Sequence, residues 1–172
     1  MSQASTLSTA PSLCPSSDPG VPGCVAFGVV LGSAEQPRLR QFEAPLPVSD
    51  DLLAMAGPAR PTEVFRFAAP CACGACPNFQ GDRCGLVTKI VRLLPATTED
   101  LPPCLIRPQC RWWQEEGQAA CLRCPEVVTD NPNPSALMRL ACDPSSPIPA
   151  LALPPAERKK GTTLKTYEDS SA

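Results

Sequence analysis

Alternating and clustered hydrophobic positions predict short strands in the first half of the chain. Residues 24–31 form an apolar, β-branched run, and residues 38–44 alternate between apolar and polar side chains after a turn. Together the two segments predict a β-hairpin. Further along, Phe65 and Phe67 stand two positions apart, which puts both rings on one face of a short strand. We expect these rings to pack in a core.

Helical periodicity and capping residues predict four short helices. One begins after Ser49, a good N-cap, and ends at Gly57. The clearest pattern spans residues 82–94, where one stripe is apolar and the other face is predicted to point to water through Thr88, Lys89 and Arg92. Two more helices are predicted over residues 108–117 and 135–140. This mixture predicts a small α+β fold.

Both ends of the chain differ in composition from its centre. Residues 1–23 are rich in Ser, Pro and Thr, and residues 143–172 are rich in Pro and then in charged residues, so neither end buries much apolar surface. We predict a flexible arm over residues 1–23, a cysteine-rich domain over residues 24–142 and a disordered tail over residues 143–172. The start of the chain lacks the basic and apolar regions of a secretory signal, and no apolar run approaches the roughly 18 residues of a membrane span. We therefore expect a cytoplasmic protein without a membrane partner.

The composition indicates that something besides an apolar core stabilises the fold. The 172 residues include 23 prolines but only five Phe, two Trp and one Tyr, which limits the core. Eleven cysteines exceed what packing requires, and an odd number in a reducing cytosol argues against a disulfide framework. Metal binding becomes the leading explanation. The net charge of −2 lacks the basic excess that a nucleic-acid partner requires.

Eight of the cysteines fall into two groups of four. The N-terminal group has the spacing C-x-C-x2-C-x7-C and consists of Cys71, Cys73, Cys76 and Cys84. The C-terminal group has the spacing C-x5-C-x10-C-x2-C and consists of Cys104, Cys110, Cys121 and Cys124. Each group contains a C-x2-C pair, which can turn two sulfurs toward one metal centre. All eight cysteines are therefore candidate metal ligands.

The ligand types narrow the choice of metal. The chain contains no histidine, so a zinc site would consist of thiolates alone or include a carboxylate. Four cysteines by themselves satisfy an iron–sulfur cluster. We predict a 4Fe-4S cluster on the C-terminal group, with structural zinc as the alternative. The N-terminal group would hold a second centre or complete the first. Cys14, Cys24 and Cys142 lack partner spacing and are not predicted to be ligands.

Residues beside the cysteines allow two interpretations. Trp112 and Trp113 follow Cys110 and either exclude water from a cluster or simply pack the core. Each group also contains a Cys-Pro pair, at 76–77 and 124–125, similar to the end of bacterial ferredoxin motifs. The C-x2-C-x2-C-x3-C run of those motifs is absent, so ferredoxin-type electron transfer is not predicted.

Two stretches carry a resemblance to a known group of proteins. RPTEVFRFAAPC at 60–71 and LPPCLIRPQCRWWQEEGQAACLRCPEVVT at 101–129 resemble small bacterial cysteine-rich proteins, some cyanobacterial members of which carry the label nitrogen fixation protein. The resemblance spans roughly residues 25–130 and rests on the cysteine spacing with its Arg-Trp-Trp and Glu-Gly neighbours. The label implies no mechanism.

These observations predict a metal-binding accessory protein with a redox or sensing role and a protein partner. One alternative is an interaction module that zinc organises. Another is a thiol-exchange protein, although no βαβ pattern surrounds Cys73 and Cys76. Catalysis by Glu115 and Glu116 is disfavoured because adjacent residues of a helix do not face each other. We name no catalytic residue, and the sequence favours a protein that is not an enzyme.

Overall fold

The computed structural model describes residues 11–33 and 36–150 of the chain. These residues form a mixed fold of five α-helices and six strands, which confirms the small α+β class. Three 3-10 turns add to these elements. In chain order the elements are β1 (Leu13–Cys14), β2 (Val25–Ser33), β3 (Gln36–Pro47), α1 (Asp50–Ala54), α2 (Pro61–Val64), β4 (Phe65–Pro70), β5 (Phe79–Gln80), β6 (Arg83–Cys84), α3 (Gly85–Leu93), α4 (Arg111–Cys121) and α5 (Ala136–Cys142). The predictions for residues 1–10 and 151–172 lie outside the described residues.

The main sheet has four antiparallel strands in the order β1-β4-β2-β3. Strands β2 and β3 form the predicted hairpin, with Val29 paired to Arg40. Gly28 allows the close approach of these strands, because a Cβ atom there would stand 2.6 Å from the Arg40 carbonyl oxygen. Strands β5 and β6 form a separate two-stranded sheet.

Each face of the main sheet buries its own apolar cluster. On one face Phe65 and Phe67 pack edge to face with ring centroids 6.2 Å apart, as their spacing predicted, and Leu52 of α1 covers them. On the other face Phe27 packs against helices α3, α4 and α5, where Trp112 is fully buried. Because successive side chains of β4 point to opposite faces of the sheet, the sheet lies between two apolar layers.

Part of the predicted N-terminal arm belongs to the sheet. Strand β1 pairs with β4 through Leu13 opposite Pro70 and Cys14 opposite Ala69. The amide of Cys71 extends this ladder by donating to the Ser12 carbonyl at 2.8 Å. The sequence predicted no element here, because a strand at a sheet edge is stabilised by backbone hydrogen bonds that composition does not reveal.

The helices begin and end close to their predicted limits. Ser49 caps α1 by accepting from the Leu52 amide at 3.2 Å, and Ser135 caps α5 in the same way. Helix α3 begins at Gly85, later than predicted, because the preceding residues form β6. Helix α4 continues past its predicted end at Gly117, whose φ of 57° marks a kink. None of the helices in the described part of the chain is both long and apolar enough to span a bilayer.

The polar face of α3 does not point to water as predicted. Thr88 is buried, and Lys89 is fully buried with its Nζ donating to the Asp143 carbonyl and to Ser146 Oγ. Residues 143–150 cover this face, and Arg92 donates to the Pro149 carbonyl. The prediction failed because periodicity within one helix does not show which distant segment packs on it.

Candidate metal centre

The C-terminal group converges around one cavity on the helical side of the sheet. Cys104 precedes the 3-10 turn Arg107–Gln109, and Cys110 follows that turn at the N-cap of α4. Cys121 ends α4, and Cys124 starts the 3-10 turn Cys124–Glu126. All four line one small cavity that is partly open to solvent. Pro15, Phe27 and Trp112 are among the other lining residues.

Hydrogen bonds fix the loop that carries the last two cysteines. Arg123 donates from Nε to the Leu94 carbonyl at 2.6 Å and from Nη1 to the Ala119 carbonyl at 2.8 Å. The amide of Thr97 donates to the Leu122 carbonyl at 2.9 Å. Because these bonds tie the C-x2-C turn to the residues that follow α3, the positions of Cys121 and Cys124 are held from outside the turn.

Two arginines bring positive charge to the C-terminal group. Arg66 on β4 is only 2% exposed, and its Nη2 donates to the Cys124 carbonyl and lies 3.8 Å from the Cys124 Sγ. The Arg107 guanidinium lowers the pKa of the Cys121 thiol and lies over the Trp113 ring, 5.2 Å from its centroid. No carboxylate pairs with Arg66 among the residues that the structure describes.

Several N–H groups around the cavity are buried without a hydrogen-bond partner. They include Nε1 of Trp112 and the Nε atoms of Arg66 and Arg107, counted within residues 11–33 and 36–150. An unpaired buried donor costs about 1–3 kcal/mol. Trp112 and Arg107 line the cavity and Arg66 lies beside Cys124, so an acceptor with negative charge would be stabilised here.

Burial keeps three thiols of the C-terminal group, those of Cys104, Cys110 and Cys121, protonated. It raises the pKa of Cys110 to about 12, although the N–H groups of Trp113 and Trp112 oppose the rise. Burial also raises the pKa of Cys104 and the pKa of Cys121. Charge on Cys124 raises both pKa values further, whereas the positive charge of Arg107 lowers them. These mutual effects place the thiols within electrostatic reach of one another. Without a metal these three cysteines are therefore neutral and poorly nucleophilic.

The N-terminal group lies on surface turns beyond the end of β4. Cys71 follows β4, and Cys73 sits in the 3-10 turn Cys73–Ala75 with a φ of 47°, in the left-handed region. Cys76 ends this turn, and Cys84 lies at the N-cap of α3. Cys84 is buried, whereas the other three are half-buried.

The residue Glu115 links the N-terminal group to α4. Its Oε2 accepts from the Cys84 amide at 2.8 Å, and its Oε1 pairs with Arg111. The neighbouring Glu116 accepts from Thr88 Oγ1 at 2.8 Å. Both carboxylates thus connect α4 to the start of α3, which explains them without catalysis.

The two groups remain separate, and their sulfurs are not gathered as tightly as a single ion requires. No cysteine of the N-terminal group lines the C-terminal cavity. Over residues 11–33 and 36–150, no three Cys, Asp or Glu side chains are placed to hold a metal ion. The eight predicted ligands are thus collected in two neighbourhoods, and their role as ligands stays a prediction.

Two residues beside these groups, Arg66 and Cys14, were not predicted from the sequence. Arg66 interrupts the apolar run of β4, and a charged residue in such a run is a signal of an internal charged partner. Cys14 lies near the N-terminal group, although its position in the sequence gives no spacing to recognise. Cys24 packs in the apolar cluster with Ala26 and Leu52, and Cys142 is exposed at the end of α5.

Comparison with known proteins adds no family to this description, since no family model, no curated protein and no solved structure matches the chain. The cysteines and their surroundings are therefore the evidence for a function.

Proposed function

We propose that the chain binds an iron–sulfur cluster through Cys104, Cys110, Cys121 and Cys124 and acts as an accessory redox or sensing protein. The observation that carries this proposal is the buried Arg66, which lies beside the Cys124 sulfur and lacks a carboxylate partner in the described part of the chain.

Arg66 supports this proposal through its buried positive charge. A guanidinium stays charged in proteins, and removing it from water is costly unless an anion lies close by. Neutral thiols do not supply that anion, but a cluster held by four thiolates carries a net negative charge. Arg66 and Arg107 would then balance the charge that the bound cluster brings into the cavity.

The ligand type favours a cluster over a single zinc ion. The chain contains no histidine, so a zinc site would consist of thiolates alone or include a carboxylate. Four cysteines by themselves satisfy an iron–sulfur cluster, and the four of the C-terminal group line one cavity.

The unpartnered N–H groups fit the same ligand. Trp112 lines the cavity with its Nε1 buried and unbonded, as judged over the described residues. Sulfur atoms of a cluster accept N–H hydrogen bonds, and such bonds influence its reduction potential. The Trp112 ring would exclude water from the same side, which gives this residue the functional role considered from the sequence.

A thiol-exchange protein is the less favoured alternative. Exchange requires a thiolate, and reactive cysteines have a lowered pKa. The pKa of Cys110 is raised to about 12, and the pKa values of Cys104 and Cys121 are raised as well. These three cysteines are therefore protected against exchange, and a metal that displaces their protons would convert them to thiolate ligands.

The deciding experiment is a metal and sulfide analysis of the full chain purified without oxygen, with a visible spectrum of the same sample. We expect iron and acid-labile sulfide in similar amounts and a brown chromophore. In a Cys110→Ala variant this chromophore should be lost or reduced, whereas Cys142→Ala, which changes an exposed cysteine, should retain it. Zinc without sulfide would replace the proposal with the zinc-organised interaction module.

A further inference from the structure

A groove lies between strand β3, at the edge of the main sheet, and the loop that carries Cys104, residues 101–105. Strand β3 contributes residues 38–41 to its lining, β2 contributes Leu31 and Gly32, and the loop contributes Pro103. Gln41 fastens the loop to the strand, because its Oε1 accepts from the Leu105 amide at 3.2 Å. Since Pro103 directly precedes Cys104, the groove borders a proposed cluster ligand.

The groove carries positive charge without a balancing carboxylate. Arg38 and Arg40 are both exposed, and neither forms an ion pair with a carboxylate of the described residues. The carboxylates of Glu43, Glu99 and Asp100 lie nearby in the sequence, but none of them lines the groove. Because the whole chain has a net charge of −2, this positive lining is a local feature of the surface.

Exposed leucines lie beside the arginines. Leu31 is 46% exposed and stands opposite Arg38 in the hairpin, so the two side chains share a face of the sheet. Leu101 and Leu105, which are 37% and 43% exposed, stand on either side of Pro103 in the loop. Apolar side chains grouped at a surface and bordered by charge are typical of sites that bind another protein. The combination favours a protein over a small anion.

We propose that this groove docks a small electron-carrier protein whose surface is acidic around its redox group. The proposal rests on the proposed function and deepens it, because it names the partner of the C-terminal group. Arg38 and Arg40 would attract the carboxylates of the carrier, and Leu31 would cover apolar surface next to them. Encounters between redox proteins bury little surface and depend on complementary charge, which a short positive groove can supply.

The exposure of the C-terminal group favours this side of the protein. Cys110 and Cys121 are buried, whereas Cys104 and Cys124 are half-buried. Of the two half-buried cysteines, Cys124 lies beside the buried Arg66, and Cys104 belongs to the loop that borders the groove. A carrier in the groove would therefore lie next to a half-buried cysteine of the proposed cluster site.

The test measures binding of an acidic flavodoxin to the full chain, purified without oxygen, by titration calorimetry at low and high salt. Wild type should bind, and its affinity should fall as salt rises, because salt screens exposed charges. Arg38→Glu and Arg40→Glu should each weaken binding about fivefold at low salt, since each replaces an attraction with a repulsion. Arg139→Glu, an equal change of charge at an exposed position of α5, is the matched control and should bind like wild type.

A second pair of variants tests the apolar part of the groove. Leu31→Ser should weaken binding at both salt concentrations, whereas Leu137→Ser, which changes a leucine of α5 that is 38% exposed, should not. Parvalbumin, an acidic protein without a redox group, should bind more weakly than flavodoxin. Equal binding of the two proteins would overturn the proposal, because the groove would then attract any acidic surface.

The outcomes separate this inference from the proposed function. If wild type does not bind flavodoxin, or if Arg40→Glu and Arg139→Glu bind it equally, the docking site is overturned while the iron and sulfide content still tests the proposed function. If the chain holds no iron and sulfide, the proposed function fails and the assignment of an electron carrier fails with it. A wild-type dimer in sedimentation that Arg40→Glu dissociates would assign the groove to a second copy of the chain and also overturn the proposal.

Discussion

The two cysteine groups have similar local construction and different surroundings. Each contains a C-x2-C pair, a Cys-Pro pair and one cysteine at the N-cap of a helix, Cys84 for α3 and Cys110 for α4. The C-terminal group lines a cavity beneath the sheet and has two buried and two half-buried members, whereas the N-terminal group has one buried member and three half-buried members on turns. Similar spacing therefore leads to two sites of different polarity and access.

The arginines beside the groups make this difference clearer. Arg111, near the N-terminal group, pairs with Glu115, so its charge is already balanced. Arg66, near the C-terminal group, is more deeply buried and lacks a carboxylate partner among the described residues. A site with excess positive charge stabilises an anionic ligand, and a balanced site does so less. We infer that the C-terminal group binds its cluster more tightly.

The largest effect should come from removing one ligand of each group in turn. Cys121→Ser should abolish the cluster of the C-terminal group and lower the thermal midpoint strongly, since metal binding contributes directly to folding free energy. Cys76→Ser, in the N-terminal group, should leave that cluster in place and lower the midpoint less. Iron content and thermal unfolding of both variants, measured without oxygen, check this. Equal losses of iron and equal decreases of the thermal midpoint in the two variants would contradict the proposed difference between the groups.

A second test uses the arginines, and its sign depends on the bound metal. In the metal-loaded protein Arg66→Met removes the countercharge of a buried anion and should cost about 3–5 kcal/mol. In the metal-free protein the same change removes an unpaired buried charge and should cost at most about 1 kcal/mol for the lost bond to the Cys124 carbonyl. Denaturant unfolding of both forms measures the two values.

Arg111→Met is the matched control for this test. It leaves Glu115, whose side chain is 11% exposed, without its partner, so it should destabilise the protein with or without metal. A cost for Arg66→Met that is the same in both forms would show that Arg66 has no anionic ligand to balance.

These contrasts also show what the sequence could predict. The hairpin, the Ser49 cap and the spacing of the eight cysteines are local features, and the cap and the hairpin appear as predicted. Arg66 and Cys124 are 58 positions apart, so no spacing rule joins them. The pairing of Cys14 with β4 and the cover over Lys89 likewise depend on distant segments. Local features could be predicted from the sequence, whereas the charge balance of each site depends on contacts that only the folded structure shows.

A smaller effect is expected from the tryptophans. Trp112→Phe keeps an aromatic ring but removes the buried Nε1 donor and part of the cover over the cavity, for a loss of about 1–2 kcal/mol. The cluster should bleach in air a few times faster than in wild type because water and oxygen gain access. Trp113→Phe, a half-buried neighbour that does not line the cavity, should change the bleaching rate less. Decay of visible absorbance with time measures both rates.

The smallest effect concerns pH and separates metal-free from metal-loaded protein. Burial raises the pKa of Cys110 from its ordinary value of 9.0 to about 12. Above about pH 9 the unfolded chain loses this proton while the folded chain keeps it, so stability falls as pH rises. Between about pH 8 and pH 9.5 Cys110 alone should cost the metal-free protein somewhat less than 1 kcal/mol.

The metal-free and metal-loaded proteins should differ in this pH dependence. A cluster-bound Cys110 has already lost its proton at neutral pH, so the metal-loaded protein should show no such contribution from this residue. Denaturant unfolding at both pH values, with Cys110→Ala as reference for the metal-free protein, isolates the effect. If wild type and Cys110→Ala lose stability equally between the two pH values, Cys110 is not buried as a neutral thiol. The cavity would then be open to water, and the contrast with the more exposed N-terminal group would disappear.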